Sequence, residues 1–212
     1  MKNKITLISP DEIESRSMEL IAAEMPEGNW THGELAVVKR CIHTSADFDY
    51  ADNLYFSEQA AEIAVGLFRN GVTIVTDTNM AAAGINKAAL KRSGSRVHCF
   101  MADADVAQEA KERGITRAIV SMERAAGMDG PVCFVIGNAP TALLRLHEMI
   151  TAGDLQPALI IAVPVGFVNV TESKELICMT DVPCIVARGR KGGSNIAAAI
   201  CNALLYQAVG RE

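Results

Sequence analysis

Val132-Cys133-Phe134-Val135-Ile136-Gly137-Asn138-Ala139-Pro140-Thr141 reads as a strand, a turn and the start of a helix. The apolar run is short, β-branched and free of polar residues, which suits a strand covered on both faces. Gly137-Asn138 breaks it, and Pro140 fits the first turn of a helix that runs to Ala152. The same unit recurs outward from here. Further strands are predicted at Val72–Thr76, Arg96–Met101, Arg117–Met122, Leu159–Val163 and Cys184–Ala187. Ala-rich helices are predicted at Met80–Arg92, Asp105–Arg113, Glu172–Met179 and Ser194–Gln207. Alternation of this kind predicts an α/β protein. It is a three-layer α/β/α arrangement with a mostly parallel sheet of about five or six strands.

The chain before the first of these strands is helical. Ser9 is placed to cap, Pro10 fits the first turn, and Glu12 completes a capping box. Ile13, Met18, Leu20, Ile21 and Met25 follow as the apolar set, with Ser17 mid-helix, where a serine is usually solvated. Thr31-His32-Gly33-Glu34 repeats the capping pattern for a second helix carrying Leu35, Val38 and Ile42 inward. Asp47-Phe48-Asp49-Tyr50 reads as a polar, aromatic loop, Ser57 as the start of a third helix, and Asn70-Gly71 as its end. The two N-terminal helices are expected to pack at the edge of the sheet. No internal repeat, linker or low-complexity tract interrupts residues 1–212, which read as one domain.

Composition narrows the function. Half of the residues are hydrophobic and 21% are charged, as in ordinary globular proteins. A net charge of −5 gives no support to a nucleic-acid partner. The six cysteines form no C-x-x-C pair, so they read as small core residues in a reducing compartment, and a zinc site is not expected. The start of the chain lacks a signal-type apolar region, and no run is long enough to cross a bilayer. The expected location is the cytoplasm.

In open α/β sheets ligands bind beyond the carboxyl ends of the strands. Those ends carry Asp77-Thr78-Asn79-Met80, Gly137-Asn138, Pro164-Val165-Gly166-Phe167, and Arg188-Gly189-Arg190-Lys191-Gly192-Gly193-Ser194. Each has an ordinary structural reading. Asp77 and Asn79 suit a helix cap, Gly137-Asn138 a turn, and the Arg/Lys/Gly run a solvated loop. Together they set backbone donors and three cations on one side of a sheet, which favours an anionic ligand. The second helix ends in Arg40-Cys41-Ile42-His43-Thr44-Ser45-Ala46-Asp47, with Arg40, His43, Thr44 and Asp47 on one face. A helix C-terminus favours a cation, and histidine is the side chain best suited to giving and taking a proton. The plain alternative is a partly buried surface histidine. His32, His98 and His147 are scattered and read as structural. G-x-G-x-x-G, Walker A, H-E-x-x-H and G-x-S-x-G signatures are all missing.

Several of these segments resemble the precorrin-8X methylmutase family. They are Val38–Asp47, Thr76-Asp77-Thr78-Asn79-Met80, Val135–Leu143, Pro164–Val168, Glu172-Ser173-Lys174 and Gly189–Ser194. The likeness covers nearly the whole chain in the family's order. It implies an isomerase of cobalamin biosynthesis that moves a methyl group from C-11 to C-12 of a corrin precursor by a 1,5-sigmatropic shift. It implies no organic cofactor and no metal site, and a homodimer with the tetrapyrrole bound near the subunit interface. His43 aligns with the family's catalytic histidine, and Ser17 and Arg40 with substrate contacts. The residues expected to contact substrate are therefore Ser17, Arg40, Thr44, Asp77, Thr78, Met80, Gly137, Asn138, Gly166, Arg190, Lys191 and Gly192. In that reading the cations and the backbone N–H groups near Asn138 and Gly192 hold carboxylate arms. The Pro164–Phe167 loop lines the flat ring.

Two other readings compete. A tetrapyrrole carrier would need the same pocket but would return its ligand unchanged. A nucleotide- or S-adenosylmethionine-using enzyme would share the fold, but the absent glycine fingerprint argues against it.

Overall fold

The computed structural model describes residues 9–211. The N-terminal part runs through α1 (Pro10–Glu24), α2 (His32–Ser45), α3 (Tyr50–Asn53), β1 (Leu54–Phe56) and α4 (Ala60–Asn70). Next come β2 (Thr73–Thr76), α5 (Asn79–Gly84), α6 (Lys87–Ser93), β3 (Arg96–His98), α7 (Ala104–Arg113) and α8 (Arg117–Ala126). The chain finishes with β4 (Val132–Ile136), α9 (Pro140–Ala152), β5 (Leu159–Ala162), α10 (Val170–Cys178), β6 (Cys184–Ala187) and α11 (Ser194–Val209).

Among the described residues the strands form one six-stranded sheet in the order β1-β6-β5-β4-β2-β3. β1 runs antiparallel to β6, and every other neighbouring pair is parallel. The chain leaves β2 toward β3 on one side and returns to β4 on the other. The strand order therefore reverses between β2 and β4, the place where such sheets open a crevice.

Alternation along the strands supplies both faces. Ile74, Cys133, Val135, Leu159 and Ile161 point to the side of α2, α4 and α11. Val75, Phe134, Ile136, Ile160 and Ala162 point to the side of α8, α9 and α10. The predicted three-layer α/β/α architecture is thus the observed one. α11 is apolar nearly all round because it lies between the sheet and α2, with α4, α5 and α6 beside it. Truncating a fully buried side chain such as Phe134 costs about 3–5 kcal/mol. α2 packs on α11, and α1 packs on α2. No helix among the described residues is long and apolar enough to cross a membrane.

Four local expectations are corrected. Arg117–Met122 is the start of helix α8. Ala118, Met122 and Ala125 reach the core at helical spacing, and Thr116 accepts the Ile119 N–H at 3.4 Å as an N-cap. Ile119 and Val120 are β-branched and suit a strand, but the core-facing spacing here is helical. Second, the single helix expected over Met80–Arg92 is broken at Ile85-Asn86. Asn202 of α11 bridges the break, donating to Gly84 O at 2.9 Å and accepting the Asn86 N–H at 2.8 Å.

Third, β1 lies between the Asp47–Tyr50 loop and Ser57, where no strand was expected. It has only three residues, too few for a pattern to show. Ser57 extends its pairing by accepting the Cys184 N–H at 2.8 Å, so α4 begins later, at Ala60. Fourth, the first capping box is incomplete. The Ser9 hydroxyl donates to the Glu12 carboxylate at 2.8 Å and receives no backbone N–H. The second box, Thr31 with Glu34, is complete.

Candidate active site

α2 ends where Ala46 turns into the left-handed region at φ 55°. His43 stands exposed in its last turn and makes no hydrogen bond or ion pair among the described residues. It lines an open cavity of about 300 Å³ together with Ser17, Leu20, Ile21 and Glu24 of α1, Ile42 and Ala46, and Phe48. Ser17 and His43, singled out separately in the sequence, therefore share one wall. The Ser17 hydroxyl donates back to Ile13 O at 2.8 Å, which leaves its oxygen able to accept. Leu20, Glu24 and Phe48 were missed, since nothing in the sequence says which face of α1 meets α2.

Arg40 faces elsewhere. Its guanidinium pairs with Glu14 at 2.8 Å and lies 5.6 Å from the Tyr206 ring centre, so it docks α1 onto α2 and α11. Arg211 also pairs with Glu14, and together the two guanidinium groups hold that carboxyl below its ordinary range against the cost of burial. Arg40 is not in the wall that holds His43, contrary to the shared face expected from helical spacing. Thr44 is exposed, and its hydroxyl donates to Arg40 O at 2.8 Å.

The carboxyl ends of the strands form a second cluster. Asp77 is fully buried beyond β2, in the crevice beside β4. Its carboxylate accepts the N–H groups of Gly137 and Asn138 at 2.8 Å and of Ala139 at 2.6 Å. Burial pushes this carboxyl up, and the three amides oppose that. The backbone donors at Asn138 that were expected to meet substrate are thus taken by Asp77. Asp77 itself is fully buried and builds the floor of the crevice. The cap of α5 is Thr78, which accepts the Ala81 N–H at 3.1 Å and shares a 2.7 Å hydrogen bond with the Ser194 hydroxyl.

Two glycines let the loops close in. A Cβ on Gly137 would lie 2.8 Å from Ser194 Cα, and one on Gly192, at φ +153°, would lie 2.1 Å from Val163 O. Both act by close backbone approach. Above this floor stand the exposed side chains of Met80, Val165, Phe167, Val168, Asn138 and Arg190. Arg190 lies 5.4 Å over the Phe167 ring, and no carboxylate pairs with it among the described residues. Gly166 donates its N–H to Arg190 O at 3.2 Å. Lys191 is occupied: its Nζ is 2.5 Å from Asp47 and 2.6 Å from Asp49. The Lys191 ammonium holds the Asp47 carboxyl below its ordinary range. This bridge fastens the loop after α2, four residues past His43, to the rim of the sheet.

One further residue matters. Lys174 of α10 is fully buried, and its Nζ donates to Gly189 O and Lys191 O, each at 2.8 Å. Burial drives its pKa down to about 8. No cluster of His, Cys, Asp or Glu able to hold a metal ion occurs among the described residues. The arrangement offers a free imidazole beside a cavity, and an apolar rim carrying one unpaired guanidinium. That suits acid–base chemistry on a large, flat, carboxylate-bearing molecule.

Comparison with known proteins shows the family to which the chain is similar. The family model described as Precorrin-8X methylmutase matches residues 12–207. A cobalt-precorrin-8 methylmutase of Salmonella typhimurium is 42% identical over 207 residues, 96% of this chain and 92% of that protein. A precorrin-8X methylmutase of Pseudomonas aeruginosa is 43% identical over 168 residues, 78% of this chain and 80% of that one. The crystal structure of a precorrin-8x methyl mutase from Thermus thermophilus superposes with a TM-score of 0.85 at 36% identity, covering 93% of this chain and 97% of its own.

Proposed function

The chain belongs to the precorrin-8X methylmutase family, isomerases of cobalamin biosynthesis, and we propose that it moves a methyl group from C-11 to C-12 of precorrin-8X or cobalt-precorrin-8 with His43 as the general acid. The observation that carries this reading is the unpartnered imidazole of His43 at the wall of the cavity it shares with Ser17. The rearrangement is intramolecular, so product and substrate have equal mass, and no nucleophile or redox partner enters the balance. A proton placed on the conjugated ring draws electron density from the C-11–methyl bond into the ring, so that bond breaks as the methyl bonds to C-12, and the same imidazole takes the proton back when the new bond has formed. Such a role is worth about 10²–10⁴-fold.

The reading treats residues 1–212 as a single domain and the tetrapyrrole as lying across the rim. Met80, Val165, Phe167 and Val168 give it an apolar bed, and Arg190 meets a carboxylate arm. Exposed apolar side chains on this scale also suit a homodimer that covers the ligand; Phe167 alone is 82% exposed.

The test is His43→Ala assayed by absorbance and mass spectrometry. Wild-type protein should convert the precursor to a product of equal mass and altered chromophore. The variant should lose about 10²–10⁴-fold in kcat while its Kd for the precursor stays within a few-fold. Near-normal turnover by the variant removes His43 from the mechanism. A wild-type protein that binds the precursor and returns it unchanged is a carrier.

A further inference from the structure

An ammonium stripped of water is costly to bury, and it is usually paired with a carboxylate when it is. Lys174 is 0% exposed, yet no carboxylate pairs with it among the described residues. Glu175, next to it on α10, lies 3.4 Å from Arg188 instead, and Lys191 turns its own ammonium to Asp47 and Asp49. The Lys174 charge is spent on two backbone carbonyls, Gly189 O and Lys191 O. The carbonyl between them, Arg190 O, accepts the Gly166 N–H. Three successive carbonyls are therefore held, two of them by one side chain.

Those anchors flank Arg190. Fixing the carbonyls of the residues before and after it fixes the direction in which its side chain leaves the loop. It leaves over Phe167, at the rim. A methionine of similar shape would avoid the desolvation cost but would leave Gly189 O and Lys191 O without this donor, so what the ammonium serves is the loop it holds.

We propose that Lys174 is a positioning residue for substrate binding, its buried ammonium clamping Gly189 and Lys191 so that the Arg190 guanidinium is presented to a carboxylate arm of the tetrapyrrole. The ligand in this statement rests on the methylmutase reading; the clamp does not. Lys174 lies beneath the loop and works through Arg190. A loosened loop must be ordered again on binding, so the loss falls on affinity more than on the chemical step.

The experiment compares wild type, Lys174→Met, Arg190→Ala and the double variant. Lys174→Met should raise KM by about tenfold or more with kcat within about threefold. In the Arg190→Ala background the same change should move KM by less than about twofold, because the residue through which it acts is gone. Hydrogen exchange on the ligand-free protein should speed by about tenfold at residues 189–193 and stay unchanged in β4. Lys174→Gln, which keeps one donor group for the carbonyls, should fall between wild type and Lys174→Met. A drop in kcat with KM unchanged, additive effects in the double variant, or unaltered exchange at residues 189–193 would each overturn the proposal. So would failure of both lysine variants to fold, which would make Lys174 a residue of stability alone. If wild-type protein turns over no precorrin, the methylmutase reading fails, and the clamp is still decided by hydrogen exchange.

Discussion

The Asp77 carboxylate accepts the backbone N–H of Asn138 at 2.8 Å, and so joins the end of β2 to the turn after β4 across the crevice of the sheet. The same carboxylate takes the N–H groups of Gly137 and Ala139. Those amides precede and open α9, where a helix leaves donors without partners. A buried carboxylate meets all three in place of a ligand. Asp77→Asn keeps the shape but turns an amide N–H₂ toward backbone donors. We expect a loss of about 2–3 kcal/mol in unfolding free energy, read by urea denaturation. Activity should fall with it as Asn138 loses its place. An unchanged denaturation midpoint would mean that the turn is held by other contacts.

Arg190 and Lys191 are neighbours in sequence with different surroundings. Lys191 is neutralised by Asp47 and Asp49, while Arg190 lies over the Phe167 ring with no carboxylate paired to it among the described residues. Arg190→Ala should therefore weaken binding of the tetrapyrrole by about tenfold or more, the scale of one charge-assisted contact. Lys191→Ala should cost affinity only through the loosened loop after α2, by a smaller factor. Equilibrium titration by absorbance gives both constants. Equal losses, or a larger one for Lys191, would show that the lysine leaves its aspartates for the ligand.

The architecture was legible because its strands are short apolar runs set off by glycine turns. Val132–Ile136 and Cys184–Ala187 carry their boundaries in the sequence. The antiparallel β1 was hidden because three residues hold no period, and its partner β6 is more than a hundred residues away. In the candidate site, His43 and Ser17 could be named singly. That α1 brings them to one cavity depends on helix packing, which spacing within one helix does not contain. The occupation of Lys191 and of the Asn138 amide was equally hidden, since the partners come from other elements. Lys174 was closer to view. Val170, Ser173, Lys174 and Ile177 are the buried residues of α10, and their spacing is that of one inward helix stripe.

Arg40 and Glu14 form the link that seats α1. Arg40 was expected to grip substrate; its pairing predicts instead that it acts through the helix that carries Ser17. Arg40→Ala and Glu14→Gln should each raise KM by a similar, modest factor of about three to ten. The double variant should be little worse than either. Steady-state kinetics on the four proteins decides the matter. Fully additive losses would return Arg40 to direct contact with the ligand.

The buried Lys174 also gives the protein a pH signature. Burial lowers its pKa from an ordinary value of 10.5 to about 8, with Glu175 opposing the shift. Below about pH 8 the amine is charged in both the folded and the unfolded chain, so the cost of burying the charge is fully present. Between that value and about 10.5 the unfolded chain binds more protons than the folded one, and stability rises with pH. Above that range the amine is neutral in both states and the cost has gone. A neutral amine still has two N–H groups for Gly189 O and Lys191 O, so the clamp survives the loss of charge. Urea denaturation of wild type and Lys174→Met at about pH 7 and about pH 10 isolates this group from others that titrate nearby. Wild type should gain stability relative to the variant at the higher pH. A difference that is the same at both would mean that the ammonium carries no burial cost in the folded chain, and the reason for reading its charge as functional would go with it.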